Sequence, residues 1–302
     1  MNIGRKVVIL SISAGIQRFE ETLTLLEENA AKDGDLLLLP EFCLGIDPVL
    51  SMDDEKIQKI SAIAKKYSKY IVFPIYRKSE RDKRLNTAIF FDRTGEIVGT
   101  YDKVYPFWEE FDLSPPAVPG SEAPVFQTDF GKIGFAICFD SNFPDLWKQL
   151  RLKGAELVLW SSAYSGGISL QAHAINYNYY IISSTYGPGT QISDCSVYDI
   201  TGKELFYGQN KGVSVFRNEI DLDRCIFHKD FNIIKRDKLL QEHAGEIEMD
   251  CDCTKEGWFT LRAIKPGVSA RALAKEYEME ELHEYKIRSE KEIDHIRGYR
   301  YQ

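Results

Sequence analysis

Cys138 is the residue of this 302-residue chain whose setting most directly suggests chemistry. It ends a strand-like apolar segment, Lys132–Ile137, and is followed at once by Phe139 and Asp140, with a helix predicted from Pro144. A thiol at this junction is a candidate nucleophile, because free backbone N–H groups at a helix start favour negative charge. The alternative is that Cys138 is an inert core residue, as free cysteines commonly are.

Two charged residues also stand where predicted strands end. An apolar strand at 35–39 is followed by Pro40 and Glu41, and a carboxylate at such a position needs a partner. Lys103 follows the strand predicted at 96–101. Each has an ordinary interpretation, a salt bridge for Glu41 and a solvated surface charge for Lys103. Together, a base, a cation and a thiol are what an activated nucleophile with an oxyanion stabiliser requires.

The elements that would position these residues occur twice along the chain. Hydrophobic periodicity predicts strand, helix, strand, helix and three strands over residues 6–101, and the same order over residues 132–206. The turn Asp92-Arg93-Thr94-Gly95 is mirrored by Asp199-Ile200-Thr201-Gly202, where glycine supplies the positive φ of a hairpin turn. We expect an α/β fold, a four-layer αββα sandwich of two pseudo-equivalent half-units with the candidate residues at strand ends.

These segments resemble those of the nitrilase, or carbon–nitrogen hydrolase, superfamily. Leu39-Pro40-Glu41-Phe42 is similar to its Pro-Glu segment, Tyr101-Asp102-Lys103-Val104-Tyr105-Pro106 to its (Y/H)-R-K-x-x-P segment, and residues 134–140 to its G-x-x-I-C-(Y/F)-D segment. The resemblance covers about residues 5–225 and implies a Glu-Lys-Cys triad of Glu41, Lys103 and Cys138. Asp102 stands where the family usually has Arg, which bears on local pairing rather than on the chemistry.

The resemblance also implies roles for individual residues. Glu41 would accept the proton of Cys138, and Lys103 with the backbone N–H of Phe139 would hold the oxyanion. Many family members carry a second Glu shortly after the Lys; here that residue is Glu110, with the adjacent Glu109 as its competitor.

The segment after the nucleophile resembles the amidase and carbamoylase branches, since Cys138-Phe139-Asp140 replaces the Cys-Trp-Glu typical of true nitrilases. We therefore expect thiol-dependent hydrolysis of a non-peptide C–N bond in a small amide or N-carbamoyl compound, through a Cys thioester, with release of ammonia or amine. Trp108 and Tyr164 are expected to line the substrate pocket, although both aromatics fit a core equally well. A nitrilase acting on a small nitrile, and a non-catalytic binding or assembly module on the same fold, are the alternatives.

Composition limits the partners. A formal net charge of -8 argues against binding to nucleic acid or to an anionic membrane. With no signal-peptide segment and no bilayer-spanning apolar run, a cytoplasmic location is expected, and six sparse cysteines fit a reducing compartment. No cofactor or metal is expected, because there is no Gly-rich nucleotide loop, no metal-ligand spacing of histidines, and no second ligand pair for Cys251-Asp252-Cys253.

The sandwich should be complete near Arg224, which gives a carbon–nitrogen hydrolase domain over residues 1–225 and a C-terminal extension over residues 226–302. Helical periodicity is present at 232–243 and from 268 to 285 and beyond. The stretch 269–277 resembles the first helix of a helix-turn-helix, but from Arg271 onward the numbers of Lys/Arg and Asp/Glu are nearly balanced, which argues against DNA binding. We expect the extension to pack on a partner subunit of a homo-oligomer, a dimer or higher.

Overall fold

The first half of the chain follows the predicted order of strands and helices in the computed structural model, which describes residues 3–80, 82–187 and 192–298. Its elements are β1 (Lys6–Ser13), α1 (Phe19–Ala30), β2 (Leu36–Leu38), α2 (Glu55–Tyr67), β3 (Tyr70–Lys78), β4 (Arg84–Phe91) and β5 (Ile97–Asp102). β1, β2 and β3 are parallel, and β4 and β5 extend the sheet in antiparallel fashion. β5 therefore runs in the same direction as β2, so both end at the same edge.

The second half repeats this order. Its elements are β6 (Val125–Gln127), β7 (Lys132–Ile137), α3 (Pro144–Leu152), β8 (Leu157–Ser162), α4 (Gly167–Tyr177), β9 (Tyr180–Thr185), β10 (Ser193–Tyr198) and β11 (Glu204–Asn210). β7, β8 and β9 are parallel, with β10 and β11 antiparallel beyond them. Each sheet also has an edge strand that was not predicted, β6 beside β7 and β12 (Ser214–Asp221) beside β1.

The mirrored turns are equivalent in detail. In each, the aspartate side chain, Asp92 or Asp199, accepts hydrogen bonds from backbone N–H groups two and four residues later. Gly95 and Gly202 have φ of +85° and +79°. A Cβ on Gly95 would lie 2.5 Å from a carbonyl oxygen of α2, and one on Gly202 would lie 2.7 Å from a side chain of α4. Only glycine meets both the φ and the close helix approach at these positions.

The inner faces of the two sheets pack against each other. Phe90 of β4 meets Phe135 of β7 with ring centroids 5.2 Å apart. The Ser11 hydroxyl of β1 donates to the carbonyl oxygen of Ser183 in β9 at 2.5 Å. Such contacts bury both inner faces, as two bare sheet faces require.

The helices lie on the outer faces. Leu26 of α1 and Ile60 of α2 are fully buried in one apolar cluster with strand residues of the first sheet. Leu150 of α3 packs so closely on Gly134 of β7 that a Cβ there would lie 2.6 Å from it. The predicted α/β fold, an αββα sandwich of two half-units, is confirmed.

Residues up to Lys6 and from Ile220 onward form a second compact unit, separate from Val7–Glu219. Its elements are β13 (Cys225–His228), α5 (Lys229–Glu242), β14 (Ile247–Cys253), β15 (Trp258–Ala263), α6 (Ala270–Glu276) and α7 (Leu282–Ile296). The three strands form an antiparallel sheet in the order β13-β15-β14, which was not predicted.

The prediction of one helix running from 268 through 285 is wrong. The chain leaves the helix after Glu276, and Glu278 adopts a left-handed conformation with φ of 55° before α7 begins. The predicted helix at 232–243 is present and starts earlier, at Lys229. Residues 299–302 of the predicted extension lie outside the described residues. In the part of the chain that the structure describes, no helix is long and apolar enough to cross a membrane.

Candidate active site

Glu41, Lys103 and Cys138 lie together because the strands that precede them end at one edge of the sandwich. Lys103 directly follows β5, Cys138 directly follows β7, and Glu41 stands three residues after β2. The Lys103 Nζ donates to Glu41 Oε1 at 2.9 Å. Glu41 and Lys103 are at most 1% exposed and Cys138 is 8% exposed. The ordinary interpretations, a surface charge for Lys103 and an isolated core thiol, do not fit this arrangement.

Cys138 occupies a sharp turn between β7 and α3. Its φ is +48°, a conformation that L residues rarely adopt, and it begins a 3-10 helix that ends at Asn142. The Trp160 Nε1 donates to the Cys138 carbonyl oxygen at 3.2 Å. Backbone strain of this kind persists only where the surroundings enforce it, and it is concentrated at functional sites.

Asp140 fixes this turn to the Lys103 segment. Its fully buried carboxylate accepts hydrogen bonds from the backbone N–H of Ile137 at 2.8 Å and of Tyr105 at 2.9 Å. The Tyr101 hydroxyl donates to the same carboxylate at 2.6 Å. Burial raises the pKa of Asp140 to about 6 despite these donors. One carboxylate thus joins the residues flanking the thiol to those flanking the ammonium.

Asp102, the departure from the family pattern, has its own partners. The Arg77 guanidinium donates to it at 2.6 Å and 3.2 Å, and the Thr87 hydroxyl donates at 2.6 Å. Asp102 is therefore paired with Arg77 and Thr87, and the ammonium of the adjacent Lys103 pairs with Glu41 instead.

Glu110, and not Glu109, completes the buried charge cluster. The Lys103 Nζ donates to Glu110 Oε1 at 2.5 Å. The backbone N–H of Phe107 donates to the same oxygen at 2.9 Å. Glu109 is exposed on the adjacent turn. The Lys103 ammonium therefore bridges two buried carboxylates.

Two residues that were not predicted complete the hydrogen bonding. The Asn86 Nδ2 donates to Glu41 Oε1 at 2.7 Å and to Glu110 Oε2 at 3.1 Å, and the Tyr76 hydroxyl donates to Glu110 Oε2 at 2.7 Å. Tyr76 and Asn86 are directly opposite each other on β3 and β4. Asn86 lies in a strand whose residues are all buried, where an amide needs partners, but the sequence does not indicate which residues supply them.

Charge interactions decide which groups are ionised. Burial alone would lower the pKa of Lys103, but the neighbouring acidic groups, Glu41 first, raise it above its ordinary value. Burial opposes ionisation of Glu110, yet Lys103 holds its pKa below the ordinary value. Burial, followed by the charge of Glu41, raises the pKa of Cys138. The resting cluster therefore contains an ammonium, the Glu110 carboxylate and a protonated thiol.

Glu41 is placed to take a proton. Burial raises its pKa, against the opposing charge of Lys103. Oε1 accepts from Lys103 and Asn86, whereas Oε2 is buried and accepts no hydrogen bond from the described residues. The thiol of Cys138 interacts with this carboxylate. Oε2 is thus the oxygen available to receive a proton from Cys138.

Trp108 and Tyr164 lie at the rim of the site. Trp108 is 61% exposed and packs on Phe107, whose ring meets Phe139 at a centroid distance of 5.4 Å. Tyr164 is 39% exposed, and its hydroxyl is hydrogen-bonded to Ser141 and lies 3.4 Å from the Cys138 carbonyl oxygen. These exposures exclude the core interpretation.

Among the described residues, no group of three or more His, Cys, Asp or Glu side chains is arranged to hold a metal ion.

Comparison with known proteins gives consistent matches. A family model described as carbon-nitrogen hydrolase matches residues 10–225. The deaminated glutathione amidase of Synechocystis sp. is 27% identical over 207 residues, which cover 57% of this chain and 72% of that protein. The β-ureidopropionase of Arabidopsis thaliana is 32% identical over 161 residues, which cover 50% of this chain and 39% of that protein.

Among solved structures, a variant of the amidase from Nesterenkonia sp. AN1 superposes with a TM-score of 0.62 at 21% identity. The superposition covers 80% of this chain and 97% of that one. That structure shows covalent addition of the acetamide moiety of fluoroacetamide at its active-site cysteine. At this level of identity the likeness establishes the fold.

Proposed function

Because the chain belongs to the carbon–nitrogen hydrolase family, within the nitrilase superfamily, we propose that it hydrolyses a small amide or N-carbamoyl compound through a thioester on Cys138. The observation that carries this proposal is the hydrogen bonding of the two carboxylate oxygens of Glu41. One carboxylate oxygen is bound by the Lys103 ammonium, and the other is unpartnered and available to the thiol.

The first step forms the acyl-enzyme. Glu41 accepts the Cys138 proton, and the thiolate attacks the carbonyl carbon of the substrate. The negative charge that develops on the carbonyl oxygen is stabilised by Lys103 and by the backbone N–H of Phe139. Removal of one such donor typically costs about 3–4 kcal/mol of transition-state stabilisation.

The second step releases the products. Glu41 returns its proton to the departing ammonia or amine, which leaves the acyl group on the Cys138 sulfur. A water molecule deprotonated by the same carboxylate then hydrolyses the thioester. Glu110 and Asn86 are positioning residues in this scheme, since Glu110 accepts a hydrogen bond from Lys103 and Asn86 donates one to Glu41.

Two other functions stay open as alternatives. A nitrilase would use the same residues on a carbon–nitrogen triple bond, and a binding or assembly module would need no reaction at all. The ion pairs of Lys103 with Glu41 and Glu110 argue against the module, because two buried carboxylates around one ammonium are costly to retain without use.

A substrate panel tests the proposal. Purified protein and the Cys138→Ala variant are incubated with primary amides, N-carbamoyl amino acids and nitriles, and released ammonia or amine is measured. We expect release from an amide or carbamoyl compound by the wild type and none by the variant. Release from nitriles alone would replace the amidase assignment with the nitrilase one.

Location and assembly stay predictions from the sequence. A cytoplasmic location, a domain boundary after residue 225, and a homo-oligomer in which residues 226–302 contact a partner subunit are part of the proposal. Sedimentation of the full chain tests the assembly: a dimer or larger species is expected, and a monomer at micromolar concentration contradicts it.

A further inference from the structure

Two cysteines outside the catalytic cluster lie in contact on β14. The Sγ atoms of Cys251 and Cys253 are 2.8 Å apart, and both residues are free thiols of intermediate burial. A disulfide bond is about 2.0 Å long, so a movement of about 0.8 Å would bring the sulfurs to bonding distance.

A β-bulge at residue 250 sets the direction in which the thiols point. Before the bulge, Met249 is opposite Leu261, which belongs to the apolar cluster of this unit. The pairing then shifts by one residue, so that Cys251 and Cys253 are opposite Thr260 and Trp258. Because residues directly opposite each other share a face, the bulge moves both thiols to the face away from that cluster.

The bulge is held by charged and polar contacts. The Arg224 Nε donates to Asp250 Oδ2 at 2.7 Å, and the Thr260 hydroxyl donates to Asp250 Oδ1 at 2.5 Å. The bulge that directs the two thiols is therefore fixed by an ion pair and a hydrogen bond.

Accessibility separates this pair from the other cysteines. Cys43, Cys195 and Cys225 are at most 2% exposed. Burial of this degree keeps an external disulfide from reaching any of these three sulfurs.

We propose that Cys251 and Cys253 form a redox-active dithiol that exchanges with low-molecular-weight disulfides, separately from the hydrolase reaction. One thiolate attacks a sulfur of a disulfide such as oxidised glutathione, forming a mixed disulfide and releasing one glutathione thiol. The other cysteine attacks the protein sulfur of that mixed disulfide and releases the second glutathione. Two protein S–H bonds become one S–S bond, the external disulfide is reduced, and the two protons leave on the released thiols.

The contact between the two sulfurs lets either one resolve a mixed disulfide formed on the other. A ring closed between cysteines separated by a single residue is strained, and strained disulfides are readily reduced again, so the couple is reversible.

Peptide mass spectrometry of the full chain tests this. The tryptic peptide of residues 239–255 contains both cysteines and no other. After exposure to oxidised glutathione and alkylation of remaining thiols, we expect the wild-type peptide to be lighter by two hydrogen atoms and free of alkyl groups. The matched variant Cys253→Ser keeps one thiol that can attack the disulfide and removes the thiol that would resolve the mixed disulfide.

The variant should retain glutathione on this peptide at a level at least about tenfold above the wild type, because the second thiol otherwise displaces it at high effective concentration. Added reduced glutathione should restore two alkylatable thiols in the wild type. Equal retention of glutathione in both proteins, or no reaction of either, shows that the pair is not a redox-active dithiol.

Discussion

Asn86 offers a sharp test of how the buried cluster is tuned. Its side-chain amide is one of two donors to Glu41 Oε1, the other being Lys103. Asn86→Leu removes that donor with little change in volume and leaves the ammonium in place. The Glu41 carboxylate then becomes less stable relative to its protonated form, so its pKa, already raised by burial, rises further.

The size of this shift can be worked from the contact that is lost. A hydrogen bond to a charged group contributes about 1.5–3 kcal/mol, which corresponds to about one to two pKa units. Because a protonated Glu41 cannot accept the thiol proton, activity is lost as the pH falls through its pKa. The acid limb of the kcat/KM profile should therefore move to higher pH by about one to two units in Asn86→Leu.

The assay is a pH–rate profile on the amide identified in the substrate panel, with melting temperatures measured in parallel. Asn218→Leu is the matched control, since Asn218 is also buried but donates to Cys195 and a backbone carbonyl rather than to a carboxylate. Asn218→Leu should lower the melting temperature without moving the acid limb of the kcat/KM profile. An unmoved limb in Asn86→Leu, or an equal shift in both variants, would refute the reasoning.

The remaining predictions concern the charged groups themselves. Glu41→Gln should lower kcat by about 10²–10⁴-fold, the usual contribution of a general base, while circular dichroism and melting temperature stay near those of the wild type. Lys103→Met should abolish turnover. It should also lower the free energy of unfolding, measured in denaturant, by about 3–5 kcal/mol, because two buried carboxylates lose their cation. A variant as stable as the wild type would contradict the pairing of Lys103 with these carboxylates. Glu110→Gln should lower kcat/KM by at least about tenfold through the weakened hold on Lys103, whereas Glu109→Gln should not change it; the reverse order would show that Glu109 is the second carboxylate.

Much of the sandwich could be predicted because local patterns and global topology agree. The helical and strand periodicities fall on the observed elements, and the Asp-x-Thr-Gly turns at Gly95 and Gly202 identify the duplication through a conformation that only glycine adopts readily. The edge strands β6 and β12 are short or half-exposed and carry no comparable signal.

The extension was harder to predict. No Gly or Pro marks the break near Glu278 within 268–285, so periodicity alone continues the helix. β14 alternates apolar and acidic residues as a strand should, but Asp and Glu are poor strand formers and the bulge interrupts its pairing.

The three proposed catalytic residues could be found because each follows a strand at the ligand-binding edge of a sheet. Asn86 and Tyr76 could not, because both lie within strands and contact the site through cross-strand pairing. The register that places them opposite each other is a property of the assembled sheet rather than of either segment.

The central claim is that Cys138 carries the acyl group during turnover. Rapid acid quench during hydrolysis, followed by mass spectrometry of the tryptic peptide of residues 133–148, in which Cys138 is the only cysteine, tests this directly. We predict that the peptide carries the mass of the substrate acyl group in the wild type and that the Cys138→Ala variant neither carries it nor turns over substrate. Sustained hydrolysis by Cys138→Ala, or an acyl group on a different residue, would contradict the mechanism.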